Sequence, residues 1–167
     1  SKNYLLGVDG GTEGLRAGIF DVFGTPLANA STSYPTQFPA PSWAEQDPND
    51  WWDALGKSVR KAISDSGISV DQIAAMAVDT TCCSVVPLDD SGNPVRPALI
   101  WMDVRSAEQA EQMVATEDDA LRINSNGSGP VSAEWMIPKA LWIKQNEPEN
   151  FDRAVTICEY QDYINLH

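Results

Sequence analysis

The sequence predicts an α/β domain built on a mixed β-sheet flanked by helices. Three observations predict it. Strand-like and helix-like patterns follow one another in the order β-β-β-α-β-β-β-α-α-β. The first three strands meet at glycine-rich corners, Gly10-Gly11-Thr12-Glu13-Gly14 and Phe23-Gly24-Thr25, so the chain opens as a meander. A chain of 167 residues, 43% of them hydrophobic, can bury one real core.

The elements follow in order. Tyr4 to Val8 is a short apolar run that ends in Asp9. Leu15 to Asp21 alternates as a strand, with Leu15, Ala17 and Ile19 on one face. Pro26 to Ser33 is a third strand. Tyr34 to Pro48 holds Pro35, Pro39, Pro41 and Pro48 and reads as a loop. Asp47-Pro48-Asn49-Asp50 starts a helix, with Asp47 as N-cap, Pro48 in the first turn and Asp50 near the positive end of the dipole. Trp52, Leu55, Val59, Ala62 and Ile63 recur at helical spacing, and Gly67 ends the helix. Ile73 to Val78 reads as a buried strand running into Asp79-Thr80-Thr81. Ser84 to Leu88 and Ala98 to Met102 are further strands. Helical patterns occupy Val104–Ala115 and Glu134–Gln145. Val155 to Cys158 is a short strand, and a new helix opens near Asp162.

Composition excludes several kinds of chemistry. A net charge of −13 disfavours nucleic acid and anionic membranes as partners. No apolar run is long enough to span a bilayer, and Ser1-Lys2-Asn3 is not the start of a signal peptide. The three cysteines, Cys82, Cys83 and Cys158, are odd in number and form no CxxC, which points to a reducing, cytoplasmic setting. The single histidine, His167, leaves no spacing for a zinc site or for a Ser-His-Asp or Cys-His hydrolase.

The first candidate site is Gly7-Val8-Asp9-Gly10-Gly11-Thr12-Glu13-Gly14-Leu15-Arg16. Glycines between two strands let backbone N–H groups converge on an anion. Thr12 adds a hydroxyl, Arg16 a fixed positive charge, and Asp9 a hard oxygen that can hold Mg2+ through water. A plain glycine hairpin with an exposed aspartate is the structural alternative. There is no GKT or GKS, and the glycines lead into a strand, so neither a Walker loop nor a dinucleotide fingerprint fits.

DxGTxxxR in a first hairpin resembles the first phosphate motif of the actin/Hsp70/sugar-kinase superfamily. Trp43-Ala44-Glu45-Gln46-Asp47-Pro48-Asn49-Asp50-Trp51-Trp52 resembles the WxEQDPxxWW segment of the FGGY carbohydrate kinases. Asp79-Thr80-Thr81-Cys82-Cys83 and Leu99-Ile100-Trp101-Met102-Asp103-Val104-Arg105 stand where these kinases line their sugar pocket. Ser132-Ala133-Glu134-Trp135-Met136 and Cys158-Glu159-Tyr160-Gln161-Asp162-Tyr163 are most similar to the ribulokinase-like (pentulose kinase) branch. The motifs run in family order from residue 4 onward.

The resemblance implies a ribonuclease H-like, actin-like ATPase fold, with residues 1–167 forming an incomplete N-terminal lobe and the C-terminal lobe absent. It implies a cytoplasmic, two-lobed enzyme that transfers the γ-phosphate of ATP, with Mg2+, to a hydroxyl of a small sugar, ribulose first among the ketopentoses. By the same resemblance Asp9 is the catalytic and metal-binding acid, and Thr12, Glu13, Gly14 and Arg16 lie at the phosphates. Glu13 departs from the small or hydroxyl residue common there, and a carboxylate beside phosphate repels it. Cys82, Cys83, Trp101, Asp103 and Glu134 are the positions implied for the sugar. Trp101 would stack on its C–H groups, and Asp103 and Glu134 would accept from its hydroxyls. Glycerol kinases carry Arg-Glu and xylulose kinases Met-His where this chain has Cys82-Cys83, which favours ribulose. The general-base aspartate is expected beyond Tyr160–His167, so the chain by itself is expected to be inactive. A homodimer of the full-length enzyme is the assembly to test.

Other readings stay open at this level. Cys82-Cys83 also fits small buried residues at a strand end. Trp51, Trp52, Trp135 and Trp142 fit core positions, Trp43 fits either role, Asp103 fits a helix cap, and Arg105 fits a surface ion pair. A non-catalytic nucleotide- or sugar-binding module, an actin-like assembly protein, and a kinase for xylulose or glycerol are the alternative functions.

Overall fold

The structure is a computed structural model that describes residues 3–122 and 131–167. Ser1 and Lys2, which belong to the expected absence of a signal peptide, lie outside them. The chain divides into two compact units, one comprising 1–36, 47–81 and His167, the other 37–46 and 82–166.

The first unit holds a sheet of order β3-β2-β1-β5, with β1 Tyr4–Gly10, β2 Gly14–Asp21, β3 Pro26–Ser33 and β5 Ile73–Thr80. β1–β2 and β2–β3 are antiparallel and β1–β5 is parallel, so this sheet is mixed as predicted. Leu15, Ala17 and Ile19 are buried on the face expected from their alternation. The turn into β3 is set by Asp21, whose carboxylate accepts from the N–H groups of Phe23 and Thr25 at 2.8 Å, and by Gly24 at φ 87°.

Helix α1, Pro48–Ser66, starts and stops where the sequence says. The Asp47 carboxylate accepts from Asn49 N–H at 2.9 Å, Pro48 fills the first turn, and Gly67 at φ 71° closes the end. Its buried stripe is one residue out of phase with the expected one. It consists of Trp51, Ala54, Leu55, Ser58 and Ala62, while Trp52 is exposed. The small side chains explain the difference. Ala54, Ser58 and Ala62 let the helix lie close on the sheet, and the Ser58 hydroxyl bonds to Leu15 O and Thr32 Oγ1. The bulky residues Val59 and Ile63 flank that seam and are half-buried.

β5 corrects another expectation. Its apolar run reads as buried, yet Ala74 to Ala77 are exposed. β5 is the last strand of the sheet, and α1 packs over β2 and β3.

The second unit contains an all-antiparallel sheet of order β4-β7-β6-β8, with β4 Glu45–Gln46, β6 Val85–Leu88, β7 Ala98–Leu99 and β8 Thr156–Glu159. β4 is a short strand inside the segment read as loop. Helices α3 Met136–Asn146, α4 Pro148–Arg153 and α5 Tyr160–Leu166 pack against this sheet, and α2 Ala107–Val114 packs on α3. α4 was not anticipated, and α2 begins three residues later than its pattern suggested. Its delay has a cause. The Asp103 carboxylate accepts from Arg105 N–H, holding 103–105 in a turn, so Asp103 is not a helix cap and Ser106 precedes the first helical residue.

A buried ionic network fastens β4 to the turn after β7. Arg105 pairs with Glu45 and Asp103 at 2.7 Å each, and Arg96 pairs with Glu45 at 2.6 Å and with Glu147 at 2.7 Å. The Arg105 guanidinium also lies 3.7 Å from the ring centre of Trp43 and 4.8 Å from that of Trp142. Arg105 is therefore an interior residue, and Trp43 and Trp142 serve the core around Leu99 and Ile143.

Candidate functional site

The expected site residues divide between the two units. Asp9, Thr12, Glu13, Gly14 and Arg16 lie in the first, and Cys82, Cys83, Trp101, Asp103 and Glu134 in the second.

In the first unit the antiparallel register sets Arg16 opposite Asp9, and their side chains form an ion pair at 2.7 Å while staying more than half exposed. The parallel register sets Asp79 on the other side of Asp9. Asp9 is thus flanked by a cation and a second carboxylate at the ends of adjacent strands. The turn of 11–13 is closed by Gly11 N–H to Gly14 O at 3.0 Å, and the Tyr34 hydroxyl donates to Gly11 O. None of Gly10, Gly11 or Gly14 has a positive φ. Gly14 is required by crowding instead, since a Cβ there would lie 2.7 Å from Thr32 O on β3. Glu13 is exposed.

Mg2+ suits such a place. It keeps several waters and takes one or two protein carboxylates together with phosphate oxygens. Asp9 and Asp79 offer two carboxylates at exposed strand ends, and no cluster of three or more metal-binding side chains occurs among the described residues.

In the second unit three turns carry the expected sugar residues. Cys82 is exposed and Cys83 half-buried in the turn before β6. Cys83 has φ 60° and its N–H donates to Glu159 Oε2 at 3.0 Å. Burial pushes the Cys83 thiol up to about 11, helped by its hydrogen bond with Cys82. The Cys158 thiol is likewise pushed up to about 11 by burial. Trp101 is exposed in the turn after β7. Glu134 is half-buried just before α3.

Asp103 departs from expectation. It is fully buried, and both carboxylate oxygens already accept bonds, from Ala44 N–H at 2.6 Å and from Arg105. An aspartate so enclosed shapes the turn that carries Trp101 and does not present an acceptor to solvent.

Sequence reasoning missed Lys139 and Glu159. The Lys139 ammonium, fully buried, donates to Cys83 O and Ile100 O at 2.8 Å each. Burial lowers its pKa to about 8, against the pull of Asp103, Cys83, Glu134 and Glu159. A signal was present. Lys139 stands three and four residues before Trp142 and Ile143, on the apolar stripe of α3.

Residues 4–167 match the FGGY family of carbohydrate kinases, N-terminal domain. The chain is 33% identical over 168 residues to a xylulose kinase of Lactococcus lactis, covering 98% of this chain and 32% of that protein. It is 31% identical over 151 residues to a glycerol kinase of Thermococcus onnurineus, covering 90% and 30%. The solved xylulose kinase of Rhodospirillum rubrum superposes with a TM-score of 0.89 at 30% identity, over 98% of this chain and 33% of that one. The chain spans about a third of the length of the curated relatives it matches. With the fold of the actin-like ATPases and this match along its length, the chain belongs to the FGGY family of carbohydrate kinases.

Proposed function

We propose that the full-length protein transfers the γ-phosphate of ATP to a hydroxyl of a ketopentose, ribulose before xylulose, and that residues 1–167 form the first part of its N-terminal domain. The observation that carries this reading is the Asp9–Arg16 pair with Asp79 in register beside it, at the turn of the first hairpin in a member of this family. Phosphoryl transfer depends mainly on positioning and on neutralising charge. Asp9 would hold Mg2+ through water, with Asp79 as a second acid, and Mg2+ supplies charge neutralisation at the phosphates. Arg16 balances Asp9 and is exposed enough to turn toward a phosphate. Thr12 and the backbone of Glu13 and Gly14 would line the phosphates, with the Glu13 carboxylate left in solvent.

The sugar is proposed to meet Trp101, Glu134 and the Cys82-Cys83 turn. Asp103 belongs to this set as a positioning residue. The small side chains at Cys82-Cys83 favour ribulose. The names of the Lactococcus lactis and Rhodospirillum rubrum relatives favour xylulose as the second reading. The family setting and the three cysteines, none of them in a CxxC, support a cytoplasmic enzyme acting on a small molecule.

The test is a coupled ADP-release assay of the full-length enzyme with ribulose, xylulose, ribitol and glycerol. The expected result is a kcat/KM for ribulose at least about tenfold above that for glycerol, a difference of about 1.4 kcal/mol in transition-state binding. A preference for glycerol, or ADP release that no sugar stimulates, contradicts the proposal.

A further inference from the structure

A lysine buried without a direct carboxylate partner is costly, and a methionine would fill the same space without that cost. Lys139 keeps its charge in the interior and donates its hydrogen bonds to two backbone carbonyls. Both carbonyls belong to turns of the expected sugar site. Cys83 O lies in the Cys82-Cys83 turn, whose φ of 60° is unfavourable for a residue with a Cβ. Ile100 O immediately precedes Trp101, and it also accepts from Asp103 N–H at 2.9 Å. Lys139 itself lies on the first turn and a half of α3, five residues after Glu134.

We propose that Lys139 is the positioning residue of the sugar site, clamping the Cys82-Cys83 turn to the Ile100-Trp101 turn so that thiols, indole and the Glu134 carboxylate keep one spacing. This rests on the sugar-kinase reading above. The clamp acts on sugar recognition and leaves the nucleotide side alone, because the turns it ties are those carrying Cys82, Cys83 and Trp101. The acids and thiol that face the ammonium come from every turn around it. Asp103 follows β7, Cys83 precedes β6, Glu134 precedes α3 and Glu159 ends β8. With burial lowering Lys139 to about 8, its charge is lost within the alkaline working range of an enzyme assay.

The experiment compares full-length wild type, Lys139→Met and Lys139→Arg, using the best sugar of the four-sugar panel. Lys139→Met is expected to raise the sugar KM about tenfold or more while the ATP KM changes less than about twofold, and Lys139→Arg to recover part of the loss. The wild-type sugar KM is expected to rise between about pH 7 and about pH 9 as Lys139 loses its proton, and that of Lys139→Arg to stay flat, because arginine remains charged. An unchanged sugar KM in Lys139→Met, with only the melting temperature lowered, overturns the inference. If Lys139→Met does not fold, a wild-type sugar KM that is flat over this pH range overturns it instead. A wild type that phosphorylates none of the four sugars refutes the sugar-kinase reading and the clamp with it, whereas an active wild type with an indifferent Lys139→Met refutes the clamp alone.

Discussion

Asp9 stands between opposite influences, with Arg16 across the antiparallel pair and Asp79 across the parallel one. If it positions the metal, Asp9→Ala in the full-length enzyme should lower kcat by about 100-fold or more, on the order of a few kcal/mol, while the protein stays folded. The pair is exposed, so its loss should change stability by less than about 1 kcal/mol. A folded Asp9→Ala enzyme with near-normal kcat would remove Asp9 from the chemistry. Trp101 gives a second check. It is 39% exposed, more than a core side chain would be. Trp101→Ala should raise the sugar KM about tenfold with the ATP KM unchanged, as measured by initial rates with each substrate varied in turn. At this scale the sequence was a good guide to residue type and a poor guide to burial. Asp103 and Arg105 read as ligand, cap or surface residues and Lys139 drew no reading at all, but all three side chains are enclosed. Apart from the bond between Asp103 and Arg105 themselves, their partners are Ala44 N–H, Glu45 and the carbonyls of Cys83 and Ile100, all distant in sequence, and no local pattern encodes those.

Among the elements, α1 was legible at both ends because caps are local chemistry. Asp47, Pro48 and Gly67 act on their immediate neighbours. Its phase was not legible, because phase depends on how closely the helix approaches the sheet. Ala54, Ser58 and Ala62 carry little hydrophobic signal, yet they set the contact. The two adjacent tryptophans turn that difference into a measurement. Trp51 is 0% exposed and Trp52 is 42% exposed. Trp51→Ala should cost about 3–5 kcal/mol and Trp52→Ala less than about 1 kcal/mol in urea unfolding. Equal losses would mean that the helix presents a different face. The late start of α2 has the same kind of origin, since the turn at 103–105 is held by a carboxylate that also binds the amide of Ala44. β5 shows the reverse case, because its apolar run is the pattern of a covered strand while, within the described residues, it lies at the edge of the sheet.

At the scale of the whole molecule, one buried lysine and two half-buried thiols set the response of the chain to alkali. Lys139 titrates near 8 in the folded protein against 10.5 ordinarily, so above about pH 8 the unfolded chain binds more protons and stability rises with pH. Cys83 and Cys158 titrate near 11 against 9.0, so above about pH 9 the folded chain holds more protons and stability is lost. The urea midpoint should therefore climb between about pH 7.5 and 9 and fall beyond it. Lys139→Met should abolish the climb and leave the fall. A midpoint that declines steadily from neutral pH would show that Lys139 is not perturbed by its burial. The family and its fold were readable from motif order along the chain, since each motif is short and their sequence is specific. The division into two units was not, because the segment of 37–46 leaves the first sheet to pair with a strand that comes about fifty residues later.

Transfer of phosphate to a sugar is followed directly by 31P NMR of the full-length enzyme with Mg-ATP and ribulose, run beside Asp9→Ala. A sugar phosphomonoester resonance should grow in step with ADP in the wild type and be nearly absent in Asp9→Ala. ADP accompanied only by inorganic phosphate, or a sugar phosphate formed equally well by Asp9→Ala, would contradict it.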